Sequence, residues 1–234
     1  MQRTSTITGS NHLLSALPEY VFAEFSPYLK AVDLPHDFKL YSSNEPIEYI
    51  YFPDTGIASI IATTSDGNSI EAGMVGSEGA AGMEVLMGAR DSPNECVIQV
   101  AGMGRRIAAR NALDLFAEND EFRRHALLFI HKLSMQVTQT ALCNRLHQVE
   151  QRLAKWLLMS HDRVEGSLLP LTHEYLSIML GVTRVSVSLT AAGFQNLELI
   201  KYSRGAITVT DREGLEDTAC ECYPIIVDEY RRTL

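Results

Sequence analysis

The segment Leu171–Asn196 carries short polar residues and one arginine at a spacing that suits contact with DNA. Thr172 and Thr183 can each cap a helix, and Gly181 stands between these two helices, where the chain must reverse sharply. Arg184 follows in the first turn of the second helix, from which a guanidinium can reach guanine or a phosphate. We therefore predict a helix-turn-helix whose recognition helix, about residues 183–196, enters the major groove of double-stranded DNA.

Short hydroxyl and apolar side chains surround that arginine. Ser186 and Ser188 offer hydrogen bonds, whereas Val185 and Leu189 suit contact with a thymine methyl group. Residues 199–210 indicate a β-hairpin, a wing whose cations would contact phosphates, and this hairpin argues against the alternative of an ordinary pair of helices. The predicted DNA-binding residues are Thr172, Thr183, Arg184, Val185, Ser186, Ser188, Leu189, Lys201 and Arg204.

The sequence contains residue types that can serve catalysis or metal binding, but they do not form a catalytic or metal-binding motif. Glu78, Glu84 and the seven histidines show no spacing of nucleophile and base, so we predict that the chain is not an enzyme. The four cysteines form neither a disulfide framework nor a paired zinc motif; they are Cys96, Cys143, Cys220 and Cys222. Cys220 and Cys222 are expected on the last helix, where thiols two residues apart diverge. We therefore predict no metal site, and redox sensing by this pair stays open.

The composition is that of a globular protein, with 46% hydrophobic and 21% charged residues. No apolar run approaches the roughly 20 residues of a membrane span, and the first ten residues lack a signal pattern, so we expect a cytoplasmic protein without a membrane partner. The net charge is −9, but residues 145–212 hold 8 Lys and Arg against 6 Asp and Glu. This net-positive segment contains the predicted DNA-binding residues.

Two patterns precede that segment. Residues 31–110 are rich in β-branched and aromatic runs that turn signals separate, among them Asp66-Gly67, and this pattern predicts a β-roll or barrel. The predicted strands are 49–52, 57–64, 70–75, 97–100 and 106–109, after short helices in residues 11–30.

A helical period then begins at the predicted cap Asn119-Asp120 and runs to about His147. Its apolar residues recur in a heptad-like stripe, which favours a homodimer seam over packing on its own domain alone. Asn144 in this stripe could set the register of the dimer. The predicted interface residues are Leu127, Ile130, Leu133, Val137, Ala141 and Asn144.

Over nearly its full length the chain resembles the CRP/FNR superfamily of bacterial transcription regulators. The strongest motif is LTHEYLSIMLGVTRVSVS (171–188), in which Gly181-Val182-Thr183-Arg184 is similar to the family's Gly-x-Ser-Arg turn. The run VEQRLAKWLL (149–158) resembles the helix that joins the family's dimer helix to its DNA reader, and residues 135–138 are similar to part of the dimer helix itself.

The resemblance implies an α+β fold in three parts: N-terminal helices with a β-roll resembling the cyclic-nucleotide-binding jelly roll (1–118), a dimerisation helix (119–148), and a winged helix-turn-helix (149–234). It also implies a homodimer on a roughly palindromic site, with recognition helices about 34 Å apart. The implied partners are double-stranded DNA, a second copy of the chain, RNA polymerase and an unidentified small effector.

The chain departs from the family at the positions that bind cyclic AMP, and these differences restrict which effector it could bind. Cyclic-AMP binders carry a Gly-Glu pair and then an Arg-Ser pair, but here Gly82-Met83 and Pro93-Asn94 stand in their places. A buried phosphate without an arginine is costly, so we expect no cyclic AMP. The effector pocket, if retained, would use Gly82, Met83, Glu84, Arg90 and Thr138.

The cofactor-binding branches of the family do not fit either. No cysteine precedes Cys96, which argues against the iron–sulfur branch. His125, His131 and His147 lie on or near the dimer helix, where we expect solvated or interface histidines and no haem ligand. Two classes of alternative stay open: a sensory or protein-interaction module of the same fold that does not bind DNA, and a cyclic-nucleotide-gated regulator.

Overall fold

The computed structural model describes residues 11–203 and 205–232, which form a β-rich N-terminal domain, one long helix and a C-terminal domain of helices around a small sheet. The helices are α1 (His12–Ser15), α2 (Glu19–Phe25), α3 (Ala109–Glu118), α4 (Asp120–Leu146), α5 (Val149–His161), α6 (His173–Leu180), α7 (Arg184–Asn196), α8 (Arg212–Thr218) and α9 (Cys222–Arg232). The strands are β1 (Lys30–Leu34), β2 (Lys39–Tyr41), β3 (Tyr49–Pro53), β4 (Ile57–Thr63), β5 (Ser69–Val75), β6 (Glu95–Val100), β7 (Gly102–Ala108), β8 (Leu168–Leu169), β9 (Ile200–Ser203) and β10 (Ala206–Val209). The predicted α+β fold class is confirmed.

The N-terminal domain is a roll of two antiparallel sheets, ordered β1-β7-β3 and β2-β6-β4-β5. Side chains from both sheets, among them Ile50, Phe52, Ile98 and Ile107, are fully buried between them. All five predicted strands are present, whereas β1 and β2 were not predicted. β1 could not be predicted because most of its residues are exposed or half-buried. It therefore lacks the alternation of apolar and polar residues that marks a strand with one buried face.

The long helix α4 begins at the predicted cap, where the Asn119 side chain accepts a hydrogen bond from the Phe122 N–H at 3.0 Å. One face of α4 packs on its own domain through buried side chains such as Phe122, Ala126 and Phe129. Gln136 extends this contact, because its amide both accepts from the Met74 N–H (2.6 Å) and donates to the Met74 carbonyl (3.1 Å). The alternative of packing on its own domain is therefore correct for this face of the helix.

The C-terminal domain is built around α5, whose side chains Leu153, Trp156 and Leu157 are buried. The sheet β8-β10-β9 covers one side of this core and supplies the predicted hairpin. The same core includes Ile57 and Met74 of the roll, so the two domains share apolar contacts.

The expectation that Cys220 and Cys222 lie on one final helix is wrong. α8 starts at the predicted cap Asp211 but ends at Thr218, because Ala219 is extended (φ −67°, ψ 154°). α9 then begins at Cys222, with Pro224 in its first turn, where a missing N–H costs nothing. Cys220 therefore lies in the turn before α9, and the two thiols need not diverge.

None of the helices in the described residues is by itself long and apolar enough to cross a membrane. By length and composition alone, α6 and α7 taken together would pass as a bent pair.

Candidate DNA interface

The predicted helix-turn-helix is formed by α6 and α7, whose axes differ by 110°. This angle lies within the range of DNA-binding helix-turn-helix motifs. The side chains of Thr172 and Thr183 cap the two helices by accepting from the N–H groups of Tyr175 (3.1 Å) and Ser186 (3.2 Å). Gly181 takes the left-handed conformation (φ 59°, ψ 42°) that the reversal requires.

The recognition helix α7 has one buried and one exposed face. Val187, Ala191 and Phe194 are buried against α5 and α6, as the spacing predicts. Three residues are prominent on the exposed face: the Arg184 side chain is 69% exposed, and Val185 and Leu189 are 67% and 70% exposed.

The predicted polar side chains of α7 already have partners within the chain. Ser186 and Ser188 are both half-buried: Ser186 bonds to the Thr183 hydroxyl at 2.9 Å, and Ser188 bonds to Nδ1 of His173, also at 2.9 Å. The Arg184 guanidinium lies 3.6 Å from the exposed Glu174 carboxylate, which is a weak pair in water.

The wing lies beside α6. Lys201 is exposed on β9, and Arg204 lies outside the described residues. The ring of His173 stacks on Tyr202 at 4.1 Å, which joins the wing to the start of α6. Burial, and then the nearby Arg184, lower the pKa of His173, so this ring is neutral near pH 7. Sequence reasoning missed His173, because its partners Ser188 and Tyr202 become neighbours only in the fold.

A buried arginine connects the helix-turn-helix to the long helix α4 through hydrogen bonds. Arg152 on α5 donates through Nη2 to the Asn144 side chain (3.0 Å) and to the carbonyl of Leu180, the last residue of α6. Arg152 is 7% exposed, so these bonds offset part of the cost of burying its charge, while its buried Nε has no hydrogen-bond partner in the described part of the chain. Asn144, a predicted interface residue, therefore has a partner within its own chain.

Residues 151–218 match the family model described as the Crp-like helix-turn-helix domain. This match covers α5 to α8, including both helices of the candidate interface. Residues 151–218 therefore form a Crp-like helix-turn-helix domain. No curated protein is significantly similar to the chain in sequence.

Solved CRP/FNR structures share the fold of the whole chain. FixK2 from Bradyrhizobium japonicum has a TM-score of 0.71 at 16% identity, covering 82% of this chain and 98% of that one. A transcriptional regulator of the crp/fnr family from Eubacterium rectale has a TM-score of 0.70 at 17% identity, covering 88% and 96%. A CRP-family regulator from Thermus thermophilus has a TM-score of 0.67 at 18% identity, covering 81% and 96%. These matches show that most of the chain shares its fold with these regulators.

The predicted effector residues line neither of two cavities that lie among the described residues of the chain. Met83 is buried, and Gly82 (φ 89°) precedes the 3-10 helix Met83–Met87. Glu84 accepts a hydrogen bond from the Tyr41 hydroxyl at 2.7 Å, while Arg90 is exposed. Thr138 is exposed on α4 and donates to the Ser134 carbonyl of its own helix.

A cavity of about 590 Å³ lies outside the roll, between α1 and α4 on one side and α5 and α9 on the other. Its lining is mixed, because Lys132 and Arg163 face it together with Glu78 and Tyr230. Arg163 donates to Glu78 at 2.8 Å, so part of this charge is already paired. None of the predicted effector residues lines this cavity.

Apart from Asn144, the predicted interface residues of α4 divide into two groups. Ile130 and Leu133 are half-buried and pack on the roll of their own chain. Leu127, Val137 and Ala141 are exposed, as are two large apolar residues that were not predicted, Leu142 (40%) and Leu146 (65%).

The contact between the roll and the C-terminal domain contains a buried carboxylate. Glu71 on β5 accepts hydrogen bonds from Ser59 Oγ (2.6 Å) and from the indole N–H of Trp156 on α5 (2.9 Å). Burial penalises its charged form and raises its pKa to about 7.

Three thiols and one imidazole meet where α4 ends beside the turn between α8 and α9. The thiols of Cys143 and Cys220 share a hydrogen bond (3.4 Å), which lowers the pKa of Cys220 to about 5 and raises that of Cys143. The expectation of a solvated or interface His147 is wrong, because its side chain is 11% exposed and Nδ1 lies 3.6 Å from Cys222 Sγ. His125 and His131 instead bond to the Glu121 carbonyl and to Glu229.

Proposed function

We propose that the chain is a transcription regulator that binds double-stranded DNA as a homodimer, with α7 in the major groove of each half of a roughly palindromic site. The observation that carries this proposal is the exposed face of α7. Arg184 at its first turn can reach a base edge or a phosphate, and Val185 and Leu189 beside it offer methyl contacts.

Recognition of the DNA sequence would depend on few polar side chains. Ser186 is already bonded to Thr183 and Ser188 to His173, so Arg184 is the predicted polar side chain of α7 that is freest to contact bases. Thr172, Thr183, Lys201 and Arg204 would contact phosphates and set the position of α7 without reading sequence. We expect modest non-specific affinity, because the net charge of the whole chain is −9.

The homodimer would form along the exposed face of α4. Leu127, Val137, Ala141, Leu142 and Leu146 lie on that helix and are exposed. Burial of such a row in a second copy would remove apolar surface from water and place two readers on one side of a duplex. The bound dimer would then act on transcription by contacting RNA polymerase or by covering a promoter.

The roll would act without cyclic AMP. Met83 is buried, Glu84 is bonded to the Tyr41 hydroxyl, and Arg90, the arginine among the predicted effector residues, is exposed, so no buried arginine of that set is available to pair with a phosphate. Addition of cyclic AMP should therefore leave the affinity for DNA unchanged.

The direct experiment selects duplexes from a randomised library with the full chain and measures their dissociation constants across a salt series. Arg184→Ala should weaken binding to the selected site by about 1–3 kcal/mol and relax its specificity. Lys201→Ala should weaken all sequences alike and reduce the salt slope by about 1.

Arg110→Ala is the matched control, because Arg110 is an exposed arginine on α3, in the N-terminal domain. Failure to enrich any sequence, or an Arg184→Ala protein that binds as tightly as the wild type, would contradict DNA reading by α7. Such a result would favour a sensory or protein-interaction module of the same fold.

A further inference from the structure

The four side chains at the end of α4 form a cluster that the helix-turn-helix does not require. Cys143 lies in the last turn of α4, His147 follows that helix, and Cys220 and Cys222 flank the turn that starts α9. One ligand atom from each residue lies within 4.8 Å of the ligand atoms of the other three. All three thiols are buried and in the free form.

The spacing of these atoms suits one tetrahedral ion. Zn²⁺ binds thiolate sulfur at about 2.3 Å and imidazole nitrogen at about 2.0–2.1 Å, which places neighbouring ligand atoms about 3.5–3.8 Å apart in a tetrahedron. Sγ of Cys143 and Sγ of Cys220 are 3.4 Å apart, and Sγ of Cys222 is 3.6 Å from Nδ1 of His147. The other pairs of ligand atoms lie within 4.8 Å of one another, so shifts of at most about 1 Å would complete the coordination.

The surroundings also suit a metal. Nε2 of His147 lies 3.2 Å from the carboxylate of Glu221, an arrangement that fixes a metal-bound imidazole and leaves Nδ1 to face the thiols. Three thiolates and one Zn²⁺ would carry a net charge of −1. Arg152 and Lys155, both buried, line the same small cavity as Cys143 and would offset that charge.

We propose that Cys143, His147, Cys220 and Cys222 bind one zinc ion, with the histidine coordinating through Nδ1. Four protein ligands leave no open position, so the site is structural and not catalytic. The ion would link the C-terminal end of α4 to the turn between α8 and α9. It would therefore hold the C-terminal domain in a fixed position relative to α4. This inference does not depend on the proposed binding to DNA.

The experiment uses the full chain, reduced and freed of metal by a chelator, and titrates it with Zn²⁺ and with Co²⁺. We expect one ion per chain by native mass spectrometry, a higher Tm with Zn²⁺, and a Co²⁺ spectrum with thiolate charge transfer and strong tetrahedral bands. Iron supplied in place of zinc should not build a multi-iron cluster.

Variants assign the ligands. Cys143→Ala should abolish stoichiometric binding, whereas Cys96→Ala, which removes a buried thiol in the roll, should keep it. Glu221→Gln changes only an exposed residue and should weaken zinc affinity about 10- to 100-fold without unfolding the chain. The proposal is overturned if the reduced, folded wild type binds no zinc, if the Co²⁺ spectrum is octahedral, or if Cys143→Ala binds as the wild type does.

Discussion

At the scale of single residues, charged groups are buried where the roll meets the C-terminal domain. Glu71 on β5 bonds to the indole of Trp156 on α5, and Arg152 on α5 bonds to Asn144 and to the end of α6. An unpaired charge at such a position is costly, so each group depends on partners from another element. These residues therefore couple the positions of the roll, the long helix and the reader.

The raised pKa of Glu71 predicts a pH-dependent stability. Its pKa rises from 4.5 in the unfolded chain to about 7 in the folded chain, so the folded chain holds a proton that the unfolded chain releases. The stabilisation is complete below pH 4.5 and is lost as the pH rises through 7. We expect the free energy of unfolding to decrease by about 3 kcal/mol over this window.

Glu71→Gln should remove this part of the pH dependence, because an amide does not titrate. Urea unfolding at pH 5 and pH 8 measures the effect, with the exposed Glu48→Gln as the control. Equal pH dependences in Glu71→Gln and the wild type would show that the Glu71 carboxyl does not titrate in this way.

Single residues also mark the limit of sequence reasoning. The caps Asn119, Thr172, Thr183 and Asp211 could be predicted, because each bonds to an N–H three residues along the chain. The zinc ligands could not, because Cys143 and Cys220 are 77 residues apart and no local spacing relates them. Their convergence depends on the break between α8 and α9 and on how α9 packs on α4.

At the scale of elements, the turn between α6 and α7 positions the candidate reader. Gly181 has a positive φ that an L-residue adopts at a cost, and a Cβ there would lie 2.7 Å from Cδ1 of Ile70 on β5. We expect Gly181→Ala to lower the free energy of unfolding by about 1–2 kcal/mol and to weaken DNA binding. Chemical denaturation and binding to the selected duplex measure the two effects.

Gly193→Ala is the matched control, because Gly193 lies within α7 and an added Cβ there meets no atom within 4 Å. That change should stabilise the chain by up to about 1 kcal/mol, since alanine favours a helix. A Gly181→Ala protein as stable as the wild type would show that the turn does not need its left-handed glycine.

The helices and strands differ in how well the sequence predicts them. α4 and the pair α6–α7 could be predicted because helical periodicity extends over several turns and caps mark the starts. β1 and β2 could not, because they are short and pair with β7 and β6 about 70 and 60 residues away. The apolar period of α4 likewise does not say which face packs on the roll and which stays exposed.

At the scale of the whole molecule, the exposed apolar residues of α4 predict a dimer. Val137→Glu should place two like charges near the axis of that dimer and shift the protein to a monomer. Sedimentation equilibrium or light scattering measures the change. Leu113→Glu on α3 is the control, because it places the same charge at another exposed leucine (42% exposed). A monomeric wild type, or a dimeric Val137→Glu protein, would contradict a seam along α4.

The central claim is that two copies of α7 contact DNA together, and hydroxyl-radical footprinting on the selected duplex tests it most directly. We predict two protected patches on one face of the DNA, about one helical turn apart, which Arg184→Ala weakens and Val137→Glu removes. A single unpaired patch, protection that persists in Arg184→Ala, or no protection at low salt would contradict the account.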